Sequence, residues 1–237
     1  MKKIALITGA TSGIGASVAK KFAQEGYIAL VHGRGAKDFK IVDEIRSNGG
    51  KAFSYIADFL KADEIDTMFE KIKQDHSKID VLINNAGMVN RKKVDDYTAD
   101  DFQNLFMVNL TAQFLCARHA YHLGASNIIN IGSMRALPAQ ATTIDYSASK
   151  AGIHNMTISL ARAFAPQCRV NCVAPGFTRT PIHDTSPERL VKEASITPLQ
   201  ICAEPEDIAE SIYFLASEKS RFTTGESLVV DGGRSFV

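Results

Sequence analysis

The chain has 237 residues, of which 45% are hydrophobic, and this length and composition suit one large α/β domain with a substantial core. Its 27 basic and 26 acidic residues give a net charge of +1, which offers no general attraction for nucleic acid or for an anionic membrane. No apolar stretch approaches the roughly 20 residues needed to cross a bilayer, so we expect a cytoplasmic protein.

Seven short apolar runs alternate with longer amphipathic segments along the chain. Continuous rather than alternating apolarity is typical of parallel strands that helices cover on both faces. The alternation therefore predicts an α/β fold over residues 1–237, with a single doubly wound parallel sheet of about seven strands and helices on both faces. The predicted strands are Ile4–Ile7, Ile28–Val31, Ala52–Ile56, Val81–Ile83, Ile128–Ile131, Val170–Val173 and Leu228–Val230.

A cluster of glycines follows the first strand, where strand changes to helix. The segment Thr8–Gly15 has the spacing G-x-x-x-G-x-G and leads into a helical pattern from Ala16 to Gln24. Glycines let the backbone turn tightly and approach a ligand, and free N–H groups at a helix start attract a pyrophosphate. Thr11 and Ser12 can add hydroxyl donors. Because the spacing differs from the common G-x-G-x-x-G, a turn that serves only strand and helix packing is the alternative.

A Tyr-x-x-x-Lys pair, Tyr146 and Lys150, follows Ser133 by 13 residues. If this segment is helical, positions i and i+4 share one face, so the ammonium can lie beside the phenol. An opposite charge within about 4–6 Å can lower the pKa of a tyrosine from ~10 by ~1 to 3 pH units. Such a tyrosine can act as a general acid or base. The alternative is a chance pair on a helix face.

The four cysteines of the chain give no sign of a disulfide or metal framework. Cys116, Cys168, Cys172 and Cys202 show no Cys-x-x-Cys spacing, and no histidine cluster accompanies them at zinc-ligand intervals. We therefore expect reduced, mostly buried thiols and no metal site.

Separated motifs, in order over nearly the whole chain, resemble the short-chain dehydrogenase/reductase family. They are Thr8–Gly15, Asn84-Asn85-Ala86-Gly87, Asn109, Ser133, Tyr146 with Lys150, Pro175-Gly176-Phe177-Thr178-Arg179-Thr180, and Thr224-Gly225-Glu226 through Asp231-Gly232-Gly233. The resemblance implies a Rossmann-type fold and an oxidoreductase that transfers hydride between a nicotinamide cofactor and a carbonyl or secondary alcohol.

The resemblance also implies the catalytic residues Asn109, Ser133, Tyr146 and Lys150. Ser133 donates a hydrogen bond to the substrate oxygen, and Tyr146 exchanges a proton with it. Lys150 holds the ribose hydroxyls and lowers the pKa of the tyrosine, while the backbone carbonyl of Asn109 holds a water that links Lys150 to solvent. The residues expected to bind the cofactor are Gly9, Thr11, Ser12, Gly13, Ile14, Gly15, Arg34, Asp58, Asn85, Ala86, Gly87, Tyr146, Lys150, Pro175, Gly176, Thr178 and Thr180.

The residues after the second strand indicate which nicotinamide cofactor is used. In dinucleotide folds an acid there binds the ribose 2′-hydroxyl, whereas an arginine accommodates a 2′-phosphate. By family alignment Gly33 stands where NAD-preferring members have aspartate, and Arg34 follows it. A guanidinium can bind phosphate bidentately, so the sequence favours NADP(H) and leaves NAD(H) or dual use open. The alternatives are a solvated turn charge for Arg34 and a loop cap for Asp58, which otherwise lies near the adenine.

The family's substrate pocket implies the substrate residues Ser133, Arg135, Thr143, Tyr146 and Phe177, with residues 177–199 as a lid. Arg135 stands where a small or apolar residue is common in the ketoacyl-reductase branch, and we expect it to meet a carboxylate or phosphate of the substrate. An arginine that points to solvent or into a subunit interface is the alternative.

The nearest branch in appearance is the 3-oxoacyl-[acyl-carrier-protein] reductases. The connection Ala120–Ser126 lacks the basic cluster that such reductases often offer to the acidic acyl carrier protein, so this partner is left open. A sugar, polyol or small-ketone dehydrogenase of the same family is the alternative, and a non-catalytic NADP sensor is a remote one. The resemblance further implies a homotetramer in which helices 102–122 and 146–164 pack across subunits.

Overall fold

A computed structural model describes residues 2–35, 39–136, 139–183 and 185–236. Within these ranges seven parallel strands form one sheet in the order β3-β2-β1-β4-β5-β6-β7. All seven predicted strands are present, and the predicted doubly wound α/β fold is confirmed. The strands are β1 Ile4–Ile7, β2 Ile28–Gly33, β3 Lys51–Ile56, β4 Val81–Asn84, β5 Asn127–Ile131, β6 Arg169–Pro175 and β7 Ser227–Val230.

Two helical layers cover the sheet, because alternate residues of each strand face opposite sides. Leu6 of β1 packs with α3, α5 and α6, whereas its neighbour Ile7 packs with α1, α2 and α8. No helix within the described ranges is long and apolar enough to span a bilayer. The helices are α1 Gly13–Gln24, α2 Lys40–Ser47, α3 Ala62–His76, α4 Ala99–Phe106, α5 Ala112–His122, α6 Ile144–Phe164, α7 Pro187–Ser195 and α8 Pro205–Ala216.

The predicted helix 102–122 is longer than expected and is not uniform. It begins with α4, where Thr98 and Asp101 form a capping box, and passes through a π-helical turn, Met107–Thr111, into α5. Single π-helical turns inside helices are frequent at functional sites. This turn contains the predicted catalytic residue Asn109.

The order of the strands determines where a ligand-binding site is expected. The chain leaves β1 for β2 and β3 on one side and returns to β4 on the other, so β1 pairs with both β2 and β4. All strands are parallel and end at one edge, and ligands of such sheets bind outside this edge where the order reverses. The turn after Ile7 and the segment after Asn84 therefore lie side by side at the switch point.

The four cysteines are free thiols, as the sequence predicts. Cys116, Cys168 and Cys172 are buried, and Cys202 is half-buried. Burial in apolar surroundings raises the pKa of the Cys172 thiol to about 11, so it stays protonated at neutral pH.

Candidate active site

A cleft of about 650 Å³ opens at the carboxyl edge of the sheet. Its walls come from the turn after β1, the ends of β2 to β5, the start of α6 and the segment after β6. All the predicted cofactor, catalytic and substrate residues line this cleft except Gly15 and Asn109, which lie behind its wall.

The glycine turn after β1 is locked to the end of β4 by side-chain hydrogen bonds. Thr8 Oγ1 accepts from the N–H groups of Asn85 and Ala86, each at 3.0 Å. Asn85 Nδ2 donates to the carbonyls of Thr8 and Gly9, each at 2.9 Å. A Cβ on Gly9, which has φ +61°, would lie 2.8 Å from Ala86 Cα, and one on Gly15 would lie 2.5 Å from Asn85 Nδ2. Close packing therefore explains Gly15, which does not reach the cleft.

The start of α1 is suited to an anion. Ser12 precedes the helix, and its side chain makes no capping hydrogen bond. The first turn, which begins at Gly13, has no acidic residue. The first N–H groups of a helix lack intrahelical partners and carry partial positive charge. The turn thus presents uncapped donors to the cleft, where they fit the pyrophosphate of a dinucleotide.

His32, near the end of β2, is a positioning residue that the sequence did not reveal. It is 3% exposed, its Nδ1 accepts from Gly9 N at 3.1 Å, and its Nε2 donates to Ala57 O at 3.0 Å. The ring stacks on Phe59 with centroids 4.1 Å apart. Burial lowers the pKa of His32 to about 4, so the ring is neutral and Nδ1 remains an acceptor for the glycine turn. The sequence feature that could have identified His32 is its position as a polar residue directly after the apolar run Ile28–Val31.

A side chain at the end of β2 would crowd the side chains of Thr11 and Phe39. A Cβ on Gly33 would lie 2.6 Å from Thr11 Cγ2 and 3.2 Å from the Phe39 ring. Arg34 follows, is exposed and lines the cleft. Asp58, after β3, also lines the cleft. Its Oδ1 accepts a hydrogen bond from Leu60 N, as expected for a loop cap. The structure is therefore compatible with both expected roles of Asp58.

The predicted catalytic side chains converge at the other end of the cleft. Tyr146 and Lys150 share one face of α6, with the Lys150 Nζ 5.7 Å from the centre of the tyrosine ring. Lys150 is 3% exposed and donates to Ile131 O at 2.6 Å. Ser133 follows β5, its hydroxyl interacts with the phenol, and its Oγ accepts from Arg135 N at 3.0 Å. The spacing-based prediction of a shared helix face is confirmed.

The pKa of Tyr146 is shifted in the direction opposite to the one expected. Burial raises it, and the Ser133 hydroxyl and the charges of Arg91 and Arg135 only partly oppose this effect. Lys150 does not provide the expected lowering, because its ammonium is directed to a backbone carbonyl and burial lowers its own pKa to about 8. Tyr146 therefore keeps its proton at neutral pH and is set up as a general acid.

Asn109 supports the site from behind. It is fully buried, its Oδ1 accepts from Met88 N at 2.8 Å, and its Nδ2 donates to Met88 O at 2.9 Å and to Ser149 Oγ at 3.2 Å. These bonds join the π-helical turn to the segment after β4 and to α6. A Cβ on Gly87 would lie 3.3 Å from Asn109 Oδ1 and 3.8 Å from Lys150 Nζ, so the glycine permits this close approach.

A family model described as enoyl-(acyl carrier protein) reductase matches residues 9–235. The chain belongs to the short-chain dehydrogenase/reductase family. Like other members, this short-chain dehydrogenase/reductase is an oxidoreductase that acts on CH–OH or C=O groups.

Relatives of this family member resemble it over almost their whole length. A 3α-hydroxysteroid dehydrogenase from Mediterraneibacter gnavus is 34% identical, and the alignment covers 97% of this chain and 96% of the relative. A 3-oxoacyl-[acyl-carrier-protein] reductase from Thermotoga maritima is 35% identical, with coverage of 98% and 97%.

Solved structures of the family have the same fold. A dehydrogenase/reductase from Sinorhizobium meliloti superimposes with a TM-score of 0.93 at 33% identity, covering 98% of this chain and 94% of the other. An angucycline C-6 ketoreductase with bound NADP has a TM-score of 0.92 at 29% identity, covering 99% and 96%. Identity at this level shows the fold and the reaction class, while the relatives differ in substrate.

Buried amides beneath the site were also missed by sequence reasoning. Asn84 Nδ2 donates to Asn130 Oδ1 and to Gln113 O, each at 3.0 Å, and Asn130 Nδ2 donates to Thr157 Oγ1 at 2.9 Å. This network joins β4, β5, α5 and α6, the elements that carry the catalytic residues. These hydrogen bonds tie the four elements to one another, although Asn84 Oδ1 has no partner among the described residues.

The substrate end of the cleft contains more polar groups than predicted. Thr143 is 6% exposed, and its hydroxyl has no hydrogen-bond partner within the part of the chain that the structure describes. This oxygen is buried and does not face the cleft, although Thr143 lines it, so the expected substrate role of Thr143 stays a prediction. No cluster of metal-ligating side chains occurs among the described residues. The lining residues that the sequence did not single out here are Arg91, Gln140, His183, Arg189 and Glu193.

Proposed function

We propose that this short-chain dehydrogenase/reductase uses NADP(H) to interconvert a carbonyl compound and a secondary alcohol, with 3-oxoacyl thioesters as the first substrate class to test. One observation carries the proposal. A single cleft joins an uncapped helix start and Arg34 at one end to Ser133, Tyr146 and Lys150 at the other. A non-catalytic NADP sensor has no need of this convergence.

The protein groups divide the work of the reaction. Bound NADP(H) supplies or accepts the hydride, while the protein supplies alignment and electrostatics. Ser133 donates a hydrogen bond to the substrate oxygen, and Tyr146 gives its proton to that oxygen as negative charge develops there. Lys150 holds the ribose hydroxyls, and Asn109 fixes the segment after β4 against α6. In the reverse direction the phenolate of Tyr146 takes the proton back.

The preference for NADP(H) rests on the end of β2. Arg34 can bind a 2′-phosphate, and Gly33 carries no carboxylate that would bind a 2′-hydroxyl and repel a phosphate. The related ketoreductase structure with bound NADP is consistent with this choice. NAD(H) as a second cofactor stays open, because an exposed arginine does not exclude it.

Several relatives support a 3-oxoacyl thioester as substrate, since reductases of that name are 34–35% identical to this chain. The connection Ala120–Ser126 still lacks a basic cluster for an acyl carrier protein. A sugar, polyol or small-ketone substrate is the second candidate, because a hydroxysteroid dehydrogenase is 34% identical and similarity at this level does not separate the substrates.

Replacement of Tyr146 tests the reaction. We expect Tyr146→Phe to lower kcat by ~100-fold or more, because the general acid is lost, and to leave cofactor affinity almost unchanged. Turnover is measured as oxidation of NADPH and NADH across acetoacetyl thioesters, sugars, diketones and aldehydes, and affinity by nicotinamide fluorescence. Wild-type turnover in the variant would contradict the assignment of the acid, and activity with NADH alone would contradict the role of Arg34.

The assembly, the lid and the location are part of the same proposal. We expect a homotetramer built through the α4–α5 segment and α6, and a lid formed by residues 177–199. The lid is supported by its position, since Phe177, Thr178 and Thr180 line the cleft and α7 follows them. A cytoplasmic location is supported by the four free thiols, which suit a reducing compartment.

A further inference from the structure

Three arginines from separate segments meet at the substrate end of the cleft. Arg91 lies in the loop after β4, Arg135 in a short 3₁₀ helix after β5, and Arg189 in α7. The charges of Arg91 and Arg135 both lower the pKa of Tyr146. All three charges lower the pKa of His183. The guanidinium groups therefore act on one region, and two of them act directly on the phenol that exchanges the proton.

Neutral groups hold the guanidinium of Arg91. Its Nη2 donates to Ile182 O at 3.2 Å and contacts His183 Nδ1 at 3.2 Å. Burial, followed by the neighbouring arginine charges, lowers the pKa of His183 to about 4. The ring is thus neutral at physiological pH and accepts a hydrogen bond. These partners orient Arg91 without cancelling its charge.

A neutral group also holds the guanidinium of Arg135. With its amide oriented so that the carbonyl oxygen faces the arginine, Gln140 accepts from Nη1 at 3.2 Å and from Nη2 at 2.9 Å. Arg135 is half-buried, and this burial lowers its pKa. Burying a charge without an ion-pair partner is unfavourable. A guanidinium has five N–H donors, and Gln140 accepts hydrogen bonds from Nη1 and Nη2 alone. Arg135 therefore has both charge and hydrogen-bonding capacity left for a ligand.

Arg189 provides the contrast within the same cleft. Its Nη2 lies 2.6 Å from Glu193 Oε1, and Glu193 is 4% exposed. The Arg189 guanidinium also lies 5.8 Å from the centre of the Phe177 ring. Among the described residues that line the cleft, the acidic ones are Glu193 and Asp58, and Asp58 belongs to the distant end after β3. Glu193 forms its ion pair with Arg189 and also acts on Arg135 through its charge, so one carboxylate faces three guanidinium groups and a net positive charge remains beside the phenol.

We propose that the carbonyl substrate carries an anionic oxygen group, a carboxylate or a phosphate, which Arg135 and Arg91 bind close to the reacting carbon. This inference rests on the proposed carbonyl–alcohol reaction, and it favours a substrate class other than 3-oxoacyl thioesters, which carry no anionic group close to the reacting carbon. The planar donor fork of arginine fits both groups, and an anion here supplies the missing counter-charge.

Matched substrate pairs test the inference. Pyruvate is compared with methyl pyruvate, acetoacetate with methyl acetoacetate, and dihydroxyacetone phosphate with dihydroxyacetone, each with NADPH. We expect kcat/KM to be at least about 10-fold higher for the anionic member of one pair, because charge-assisted hydrogen bonds are lost in its neutral partner. The pair that shows the preference distinguishes a carboxylate from a phosphate.

Two variants separate charge from shape. Arg135→Gln removes the charge, and Gln140→Glu keeps the shape of the side chain but gives Arg135 a counter-ion of its own. Both should lower the ratio of kcat/KM for the anionic substrate to kcat/KM for its neutral partner by roughly 10-fold or more, which brings this ratio close to one. The control is Arg221→Gln, an exposed arginine outside the cleft, which should keep the wild-type preference. A preference that survives in both cleft variants overturns the inference.

A binding measurement is independent of turnover. Calorimetric titration of the NADP⁺-saturated protein, in which the cofactor fills the anion site at the start of α1, should show binding of malonate or inorganic phosphate to the wild type and to Arg221→Gln but not to an Arg91→Gln, Arg135→Gln double variant. Equal kcat/KM for charged and neutral carbonyls, or anion binding that the double variant retains, overturns the inference and leaves the proposed reaction intact. If no carbonyl oxidises NADPH while malonate still binds, the proposed reaction fails and the anion site stands.

Discussion

The buried ammonium of Lys150 lowers the stability of the folded protein. Burial lowers its pKa from 10.5 to about 8, although the ammonium donates to Ile131 O. A shift of this size corresponds to ~3 kcal/mol of unfavourable free energy at neutral pH. The hydrogen bond returns about 1 kcal/mol. The lysine is therefore present for its chemistry and not for stability.

We predict that Lys150→Met abolishes turnover but stabilises the fold at pH 7, because an uncharged side chain of similar shape removes the desolvation cost. The net gain of ~2 kcal/mol corresponds to a Tm higher by roughly 4–8 °C for a chain of this size. Thermal unfolding followed by circular dichroism measures this gain. Between pH 8 and 10.5 the unfolded chain binds more protons at this residue than the folded one. Wild-type stability therefore rises relative to the variant through this window, and the difference in Tm shrinks.

The control for this prediction is Lys73→Met, which replaces an exposed lysine on α3 and should move Tm little at any pH. A lower Tm for Lys150→Met at pH 7, or a gain that does not change between pH 7 and 10.5, would show that the buried ammonium is not the cause.

At the scale of an element, the end of β2 carries the residues on which the proposed preference for NADP(H) rests. The register of β2 with β3 continues to Gly33, and the chain then turns at Arg34 into the cleft. Thr11 occupies the space in which a side chain on Gly33 would lie. The strand end thus presents a guanidinium and no carboxylate to the cleft.

We predict that Arg34→Gln raises KM for NADPH by about 10- to 100-fold and leaves KM for NADH almost unchanged, because only the 2′-phosphate loses a charged partner. Steady-state kinetics with both cofactors measure the two values. Arg221→Gln, with the same loss of charge outside the cleft, serves as the control. An equal increase in both KM values would mean that Arg34 supports the turn and does not read the phosphate.

The α4–α5 segment is the second element with a function of its own. The π-helical turn places Asn109 so that its amide can reach both Met88 and Ser149. One continuous α-helix would rotate this side chain relative to its partners. The sequence marks Asn109 through a family resemblance, whereas the irregular turn that orients it is visible only in the folded chain.

For the whole molecule, apolar side chains on α5 and α6 indicate where subunits meet. Phe114 of α5 is 41% exposed, and Ile158 of α6 is 40% exposed. We predict a wild-type tetramer and its dissociation by the double variant Phe114→Lys, Ile158→Lys, because two buried charges per chain oppose the interface. Size-exclusion chromatography with light scattering measures the mass.

The matched control for the assembly is Phe53→Lys on the edge strand β3, where the phenylalanine is also 41% exposed. This variant should remain tetrameric. A monomeric wild type, or a double variant with the mass of the wild type, would contradict the expected interface.

Much of the fold follows from local patterns. Each strand is a short apolar run that lies between two helical layers, so its position could be read directly from the sequence. Local patterns do not specify irregular geometry or contacts between distant segments, and they missed the π-helical turn at Met107–Thr111 and the buried network through Asn130 for this reason.

The sequence by itself determined the α/β alternation through its periodicity. Its motifs, in their order and spacing, resemble a known family, and this resemblance implied the reaction class and the cluster around Tyr146. Only the tertiary structure decided the electrostatics. The pKa of Tyr146 is set by burial and by Arg91 and Arg135, which are distant in sequence from each other. Likewise, the fold gives Arg135 the neutral Gln140 as its hydrogen-bond partner and leaves Glu193 to act on it only through its charge. Desolvation and charge pairing depend on distances in space, which the order of residues does not contain.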